Sequence, residues 1–168
     1  LRRAGGVMPG AALVAEDLRI IGHRETVNRL DRTLRTLERM ERHPESGQYF
    51  NWYDHRTGEK ITVWPPSGEP HEPRLSSVDN GWLATGLAVV SRSVPELADR
   101  TEAIYDSMDF GFYYVPERNQ IMFHYEPRTG NVSCCYDTIV SESRIASYIG
   151  IAKGELPPKQ YFGAFRSF

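Results

Sequence analysis

The strongest structural signal in the chain is the spacing of apolar residues between positions 24 and 42. Apolar side chains recur there every three or four residues: Val27, Leu30, Leu34 and Leu37, with Met40 continuing the stripe. This period predicts an α-helix with one buried face. Asp31 and Arg35, four residues apart on the other face, add a favourable pair. Pro44 and Gly47 end the predicted helix.

The same period predicts further helices over residues 11–21, 78–92, 95–108 and 142–153, and a last one after Pro157-Pro158. Aromatic and β-branched residues at 111–115 and 120–125 predict a β-hairpin. Residues 127–138 are interpreted as loop and residues 1–10 as irregular. Because the helices come in pairs with long segments between the pairs, we predict a mainly α fold, part of an (α/α)6 toroid with one small hairpin. No internal sequence repeat is apparent, which disfavours a solenoid.

Composition excludes several classes of function. The 168 residues carry 20 basic and 22 acidic side chains, a net charge of −2, so no basic field favours nucleic acid or an anionic membrane as a partner. No apolar run reaches the roughly 20 residues of a membrane helix. No His/Cys spacing indicates zinc, and we predict neither metal nor cofactor. Leu1-Arg2-Arg3 resembles the start of a signal peptide, but glycines and Pro9 interrupt the apolar run. We expect no signal peptide in this sequence, and the location of the full-length protein, including export, stays open.

The two cysteines, Cys134 and Cys135, are adjacent. Neighbouring Cα atoms lie about 3.8 Å apart, closer than the usual span of a disulfide. We therefore predict two free, buried thiols, with a redox switch as the alternative.

The first candidate site segment lies in a long loop over residues 43–75, which is rich in proline and aromatic residues. Apolar rings alternate there with amide and carboxylate groups, and the candidates are Asn51, Trp52, Tyr53 and Asp54. Either the rings fill the core while the polar groups satisfy the loop backbone, or both face a cleft and hold a sugar. Long ordered loops in compact domains are usually functional.

The second candidate segment is Ser76 to Leu83, where two serines precede an apolar run. A helix cap explains the serines. It does not explain Asp-Asn-Gly-Trp in the first turn, where Gly81 costs about 1 kcal/mol of helix propensity and allows a ligand to approach. We predict a site role for Asp79, with Asn80 and Trp82 as substrate-binding candidates.

The third candidate segment surrounds Glu142. Ser141 is predicted to cap the following helix, which places Glu142 in its first turn, where the macrodipole stabilises a carboxylate. The alternative is that Glu142 points into an aromatic cleft and acts as a general acid. Arg144, two residues further on, faces the other side and is expected to fix the preceding loop; it is also kept as a substrate-binding candidate.

Four motifs follow one another along the chain: Asn51-Trp52-Tyr53-Asp54, Ser77-Val78-Asp79-Asn80-Gly81-Trp82-Leu83, Met108-Asp109-Phe110-Gly111-Phe112 and Ser141-Glu142-Ser143-Arg144-Ile145-Ala146-Ser147-Tyr148. In this order they resemble the glucoamylase-like family, which includes endo-β-1,2-glucanases; related modules occur in cyclic β-1,2-glucan synthases. The similarity runs from about residue 11 to the end of the chain.

The resemblance implies an (α/α)6 barrel and a negatively charged cleft that binds β-1,2-linked glucan, with Asp79 and Glu142 at or near the catalytic centre. Glycoside hydrolysis uses an acid for the leaving oxygen and a second carboxylate. We predict Glu142 as the acid, and Asp79 as the second carboxylate or a hydroxyl-binding group beside it. Asn51, Asp79 and Glu142 are expected at one end of the fold.

The chain is expected to be one partial domain over residues 1–168, the amino-terminal half of such a barrel and incomplete at both ends. Helix faces without partners then favour self-association. The alternatives to an enzyme are a glucan-binding or scaffold domain without turnover, and an inactive fragment.

Overall fold

The computed structural model describes residues 7–135 and 138–166. The fold is mainly helical with small sheets. The helices are α1 (Val7–Asp17), α2 (His23–Arg39), α3 (Ser77–Ser93), α4 (Ala98–Asp106), α5 (Arg144–Ala152) and α6 (Lys159–Gly163). Short 3-10 turns cover Pro95–Leu97 and Gly111–Tyr113. The strands are β1 (Leu75–Ser76), β2 (Tyr114–Val115), β3 (Gln120–Ile121), β4 (His124–Glu126) and β5 (Asn131–Ser133).

Helix α3 is the central element of the core. It packs against α1, α4 and α5, and its inward residues Leu83, Leu87 and Val90 are buried. Burying each such side chain contributes about 1.5–3 kcal/mol. The predicted cap is confirmed, because the Ser76 side chain accepts a hydrogen bond from the backbone N–H of Asp79.

Helix α2 lies against this core through the predicted apolar stripe, with Leu30, Leu34 and Leu37 buried. Its polar face is tied to α4 by one side chain. Arg100 of α4 donates to Asp31 at 2.6 Å and to Glu38 at 2.8 and 2.9 Å. Asp31 also accepts from Arg35 at 2.8 Å, as the spacing predicted.

Several predicted boundaries differ from the structure. Helix α1 begins at Val7, so residues 7–10 are helical rather than irregular, and residues 1–6 lie outside the described part. The predicted loop over 127–138 contains β5, which pairs with β4, while β4 pairs with β1 on its other side. The predicted single hairpin is therefore the short pair β2–β3 followed by a strand of a second sheet. Residues 124–126 belong to the second sheet because their backbone pairs with β1, which is distant in sequence.

A short hairpin recurs along the chain, although the sequence showed no repeat. The described residues include five pairings between a residue and the seventh after it: Arg42–Tyr49, Tyr53–Lys60, Val63–Pro70, Tyr114–Ile121 and Tyr125–Val132. In each, the fifth residue after the first has a positive φ, between 53° and 78°. Glycine occupies this position four times and asparagine once, the residues that adopt this conformation most easily.

The prediction of two free, buried cysteines is wrong. Cys134 and Cys135 are joined as a vicinal disulfide just after β5. Cys134 is exposed and Cys135 is half-buried.

Exposed aromatic residues occur near the end of the described chain: Tyr148 on α5, Phe162 on α6 and Phe165 just after α6. Self-association through such faces stays a prediction. Within the described residues, none of the helices has both the length and the apolar character needed to cross a membrane.

A pH-dependent contact joins α1, α2 and the turn before α4. The His23 ring lies 2.9 Å from Glu16 and 2.8 Å from Glu96. Hydrogen bonds to Glu96 and Glu16 raise the pKa of His23 above its ordinary 6.5, so its contribution is complete below pH 6.5 and is lost as pH rises through the raised value. The hydrogen bond from His23 lowers the pKa of Glu96, so the carboxylate contribution is complete above the ordinary 4.5 and is lost in more acidic solution.

We therefore predict that His23→Gln lowers the melting temperature at about pH 5.5 and has little effect at about pH 9. Melts of both chains at the two pH values test this. An equal difference between the chains at both values would contradict it.

Candidate active site

A cleft of about 250 Å³ opens at the amino-terminal end of α3. Its walls come from four segments of the chain, through Asn51, Trp52, Arg74, Ser76, Val78, Asp79, Phe123, His124 and Glu142. Four of the predicted site residues, Asn51, Trp52, Asp79 and Glu142, are thus brought together. They come from three motifs that lie far apart in sequence, and the expected placement of Asn51, Asp79 and Glu142 at one end agrees with the structure.

Asn80 connects the segments that form the cleft. Its amide oxygen accepts from the backbone N–H of Tyr49 at 2.9 Å. Its amide nitrogen donates to the carbonyls of Tyr49 and Ser76, at 2.9 and 3.0 Å, and to the Tyr113 hydroxyl at 3.1 Å. The side chain is 2% exposed and does not line the cleft. Asn80 therefore positions the aromatic loop on α3, whereas the sequence analysis placed it among the substrate-binding residues.

The loop and β1 run side by side at the rim of the cleft. The backbone N–H of Asn51 donates to the Arg74 carbonyl at 2.8 Å, and the Asn51 side chain accepts from the Arg74 N–H at 3.3 Å. The Ser77 hydroxyl donates to the Phe123 carbonyl at 3.2 Å. These bonds fix Asn51 and Phe123 in the walls of the cleft that Asp79, in the first turn of α3, also lines.

Glu142 lies in a turn before α5, not in the first turn of the helix as predicted. The Ser141 hydroxyl accepts from the N–H of Ser143 at 3.3 Å and donates to the Thr138 carbonyl at 2.7 Å. Serine hydroxyls that bond to nearby backbone compete with helix formation, so α5 begins only at Arg144. Glu142 is exposed at the edge of the cleft.

Gly81 is explained by helix packing and not by ligand approach. A Cβ atom at this position would lie 2.7 Å from Ile145 Cγ2 and 3.1 Å from the Ala146 nitrogen. Gly81 is buried against α5 and is absent from the lining of the cleft, so the expectation that a ligand approaches it is wrong. The close approach holds the start of α3 beside the start of α5, which sets the separation of Asp79 and Glu142.

Two other candidates have contacts that stabilise loops. The Tyr53 hydroxyl donates to the Glu41 carbonyl at 2.6 Å and accepts from the Phe50 N–H at 2.8 Å, and burial raises the pKa of Tyr53. Asp54 accepts from the N–H of Arg56 at 2.7 Å, a bond that lowers the pKa of Asp54 and closes the turn.

The remaining two candidates lie outside the lining of the cleft. Arg144 donates to the Ile139 carbonyl at 3.3 Å, and thus fixes the preceding loop as expected. Trp82 is 43% exposed on α3 and is not a lining residue.

Two residues that line the cleft were absent from the candidates predicted from the sequence. Arg74 and His124 line it, and both approach Glu126, whose carboxylate lies 3.0 Å from Arg74 Nε and 3.8 Å from His124 Nε2. Burial, then the charge of Arg74, lowers the pKa of His124 below 6.5, so this ring is neutral near pH 7. The sequence offered one signal for these residues: His124 and Glu126 are two positions apart in a strand, a spacing that places both side chains on the same face of the sheet.

Comparisons with known proteins agree with the fold. No protein-family model matches the chain. The chain is 29% identical over 153 residues to the cyclic β-(1,2)-glucan synthase of Rhizobium meliloti, a similarity that covers 90% of this chain and 4% of that protein. The resemblance inferred from the four motifs is confirmed by this similarity and by the solved structures below.

Two solved structures share the fold at 20% sequence identity. A glucoamylase-like protein from Bacteroides caccae gives a TM-score of 0.73, over 95% of this chain and 40% of that chain. An endo-β-1,2-glucanase from Chitinophaga pinensis, solved with sophorotriose and glucose, gives 0.69 over 95% of this chain and 39% of that chain. This chain therefore spans about two fifths of the solved proteins that it resembles.

Gly81→Ala is predicted to destabilise the protein, because the added methyl group pushes α3 away from α5. Overpacking of this kind costs about 1–3 kcal/mol. Gly10→Ala is the matched control, a helical glycine with no atom within 4 Å of an added Cβ, where alanine should be neutral or stabilising. Chemical denaturation measures both, and equal effects of the two substitutions would contradict the packing role.

Asn80→Ala is predicted to lower the free energy of unfolding by about 1–3 kcal/mol, because buried polar groups of Tyr49 and Tyr113 lose their partner. Asn28→Ala, at an exposed position of α2, is the control. Denaturation curves compare the variants. A parental midpoint for Asn80→Ala would show that the loop does not depend on this side chain.

Proposed function

We propose that this chain is part of a glycoside hydrolase that acts on β-1,2-glucan or a related β-glucan. The observation that carries the proposal is one cleft lined by two carboxylates from separate motifs, Asp79 and Glu142, together with the Trp52 ring. Hydrolysis of a glycosidic bond uses two such carboxylates on either side of the bond. The endo-β-1,2-glucanase with the same fold supports the choice of substrate.

Glu142, exposed at the edge of the cleft, is the proposed general acid. In the proposal it protonates the leaving oxygen, while Asp79, which is half-buried, activates water, stabilises the anomeric carbon or binds a hydroxyl beside it. The amide of Asn51 and the Trp52 ring hold the sugar by a hydrogen bond and by packing against its C–H face.

The proposed architecture is part of an (α/α)6 toroid. The resemblance of the chain to about 40% of a longer glucoamylase-like protein supports it. In such a toroid the exposed aromatic residues of α5 and α6 pack against further helices.

A non-catalytic glucan-binding domain is the second candidate. The lining of the cleft favours it, because the Asn51 amide and the Trp52 ring can hold a sugar without a catalytic carboxylate. An inactive fragment is the remaining alternative.

Glu142→Gln in the full-length protein distinguishes these functions. If Glu142 is the acid, turnover of linear β-1,2-glucan falls by roughly 100-fold to 10,000-fold, because glutamine keeps the shape and has no proton to transfer. The melting temperature and the affinity for the glucan stay near parental values. Turnover assays, melts and calorimetric binding measure the three quantities.

Glu117→Gln is the control, an exposed carboxylate in the turn between β2 and β3 that does not line the cleft. It should leave turnover unchanged. Near-parental turnover of Glu142→Gln would remove Glu142 from the mechanism. A parent that binds β-glucans without cleaving any of them would favour the binding domain.

A further inference from the structure

A second and larger groove, of about 730 Å³, lies beside the candidate active site. Its walls come from the second and third short hairpins, the segment before β1 and the tip of the β4–β5 hairpin. The lining residues are Phe50, Lys60, Thr62, Pro70, His71, Glu72, Pro73, Pro127 and Arg128. Its volume falls in the range of about 300–1,000 Å³ that is typical of ligand sites.

The two depressions share a wall. Phe50 lines the groove and Asn51 the cleft, while Pro73 lines the groove and Arg74 the cleft. Consecutive side chains of an extended segment point to opposite sides. The Asn51–Arg74 hydrogen bonds and the ion pair of Arg74 with Glu126 therefore form a ridge between the groove and the cleft.

Rings connect the two depressions along the same loop. Trp52, which lines the cleft, contacts the Trp64 ring edge-on at 5.7 Å between centroids. Trp64 in turn contacts the ring of His71, which lines the groove, at 5.5 Å. The contacts between these three half-buried rings therefore link the cleft to the groove, along a path that a chain of sugar rings can follow by packing against them.

The chemistry of the groove suits a neutral polyol. Its two cations are each paired with a carboxylate, Lys60 with Glu41 at 2.6 Å and Arg128 with Glu72, so no uncompensated charge selects an ion. Pro70, Pro73 and Pro127 supply flat C–H surfaces. The charged pairs and the Thr62 hydroxyl supply donors and acceptors for sugar hydroxyls.

His71 adds a polar atom in need of a partner. Its Nε2 is buried and makes no hydrogen bond within the described part of the chain. Burial lowers the pKa of His71, so the ring is neutral near pH 7. A buried polar atom without a partner is rare in native proteins, and each one calls for an explanation such as a ligand or a water.

We propose that the groove binds a remote segment of the same neutral glucan chain that occupies the candidate active site. This inference rests on the proposed function, and it makes affinity depend on the length of the glucan. Oligomers of two or three glucose units fill only the cleft. Oligomers of roughly eight units reach across the ridge and gain affinity from the groove.

Thr62→Trp tests the proposal by filling the groove, and Thr62→Ser is the matched control that keeps the hydroxyl. Thr62 is exposed, so a large side chain there does not disturb the core. Arg128→Ala, on the opposite wall and also exposed, is a second, independent variant. Calorimetric dissociation constants for β-1,2-linked oligomers of both lengths are measured on the full-length Glu142→Gln background, which prevents cleavage.

We expect Thr62→Trp to weaken the binding of the long oligomers about tenfold and to leave that of the short oligomers unchanged. Thr62→Ser should bind both lengths like the parent, and Arg128→Ala should weaken the long oligomers alone. If Thr62→Trp binds long oligomers with parental affinity, the proposed role of the groove is overturned and the proposed function is left intact. If Thr62→Trp weakens the binding of short and long oligomers equally, the role of the groove is also overturned, because the effect is then not confined to the groove. A parent that binds no β-1,2-glucan of any length overturns the proposed function together with this inference.

Discussion

The four hydrogen bonds of the buried Asn80 side chain are the interaction on which the candidate site depends. They join α3 to the backbone of Tyr49 and to the hydroxyl of Tyr113, so that the aromatic loop, the central helix and the turn before β2 meet at one point. Inside a protein such a network is strong when every member is satisfied and costly when one is missing. The loop that carries Asn51 and Trp52 is therefore held in one position although it has little regular structure of its own.

Helix packing supplies the second constraint. Because Gly81 lets α3 approach α5 closely, the first turn of one helix lies beside the turn that precedes the other. The two proposed catalytic carboxylates are thus carried by rigid neighbouring elements. Arg74 and the neutral His124 line the same cleft. Their contacts with Glu126 connect strand β4 to the rim of the cleft. The arrangement of the site therefore depends on how the helices and strands pack, more than on any single contact between the side chains that line the cleft.

The short hairpins show how a proline-rich loop becomes an ordered wall. Each turn needs one residue with positive φ, and the Ser-Gly and Thr-Gly pairs at Gly47, Gly58, Gly68 and Gly130 meet that need. The first three hairpins follow one another along the loop, and the second and third leave a groove against the β4–β5 hairpin. Repetition of a turn, rather than of a helix pair, is the internal regularity of this chain.

By itself the sequence determined the helices with a clear apolar period, such as α2, the Ser76 cap and the motifs that carry Asn51, Asp79 and Glu142, because these depend on interactions within a few residues. Only the tertiary structure decided that β4 pairs with β1, that α5 begins after Glu142, and that Asn80 and Gly81 serve packing while Arg74 and His124 line the cleft. These outcomes depend on partners that are distant in sequence. A side chain that faces a ligand and one that fills a buried contact belong to the same residue types, and only the position of the distant partner distinguishes them.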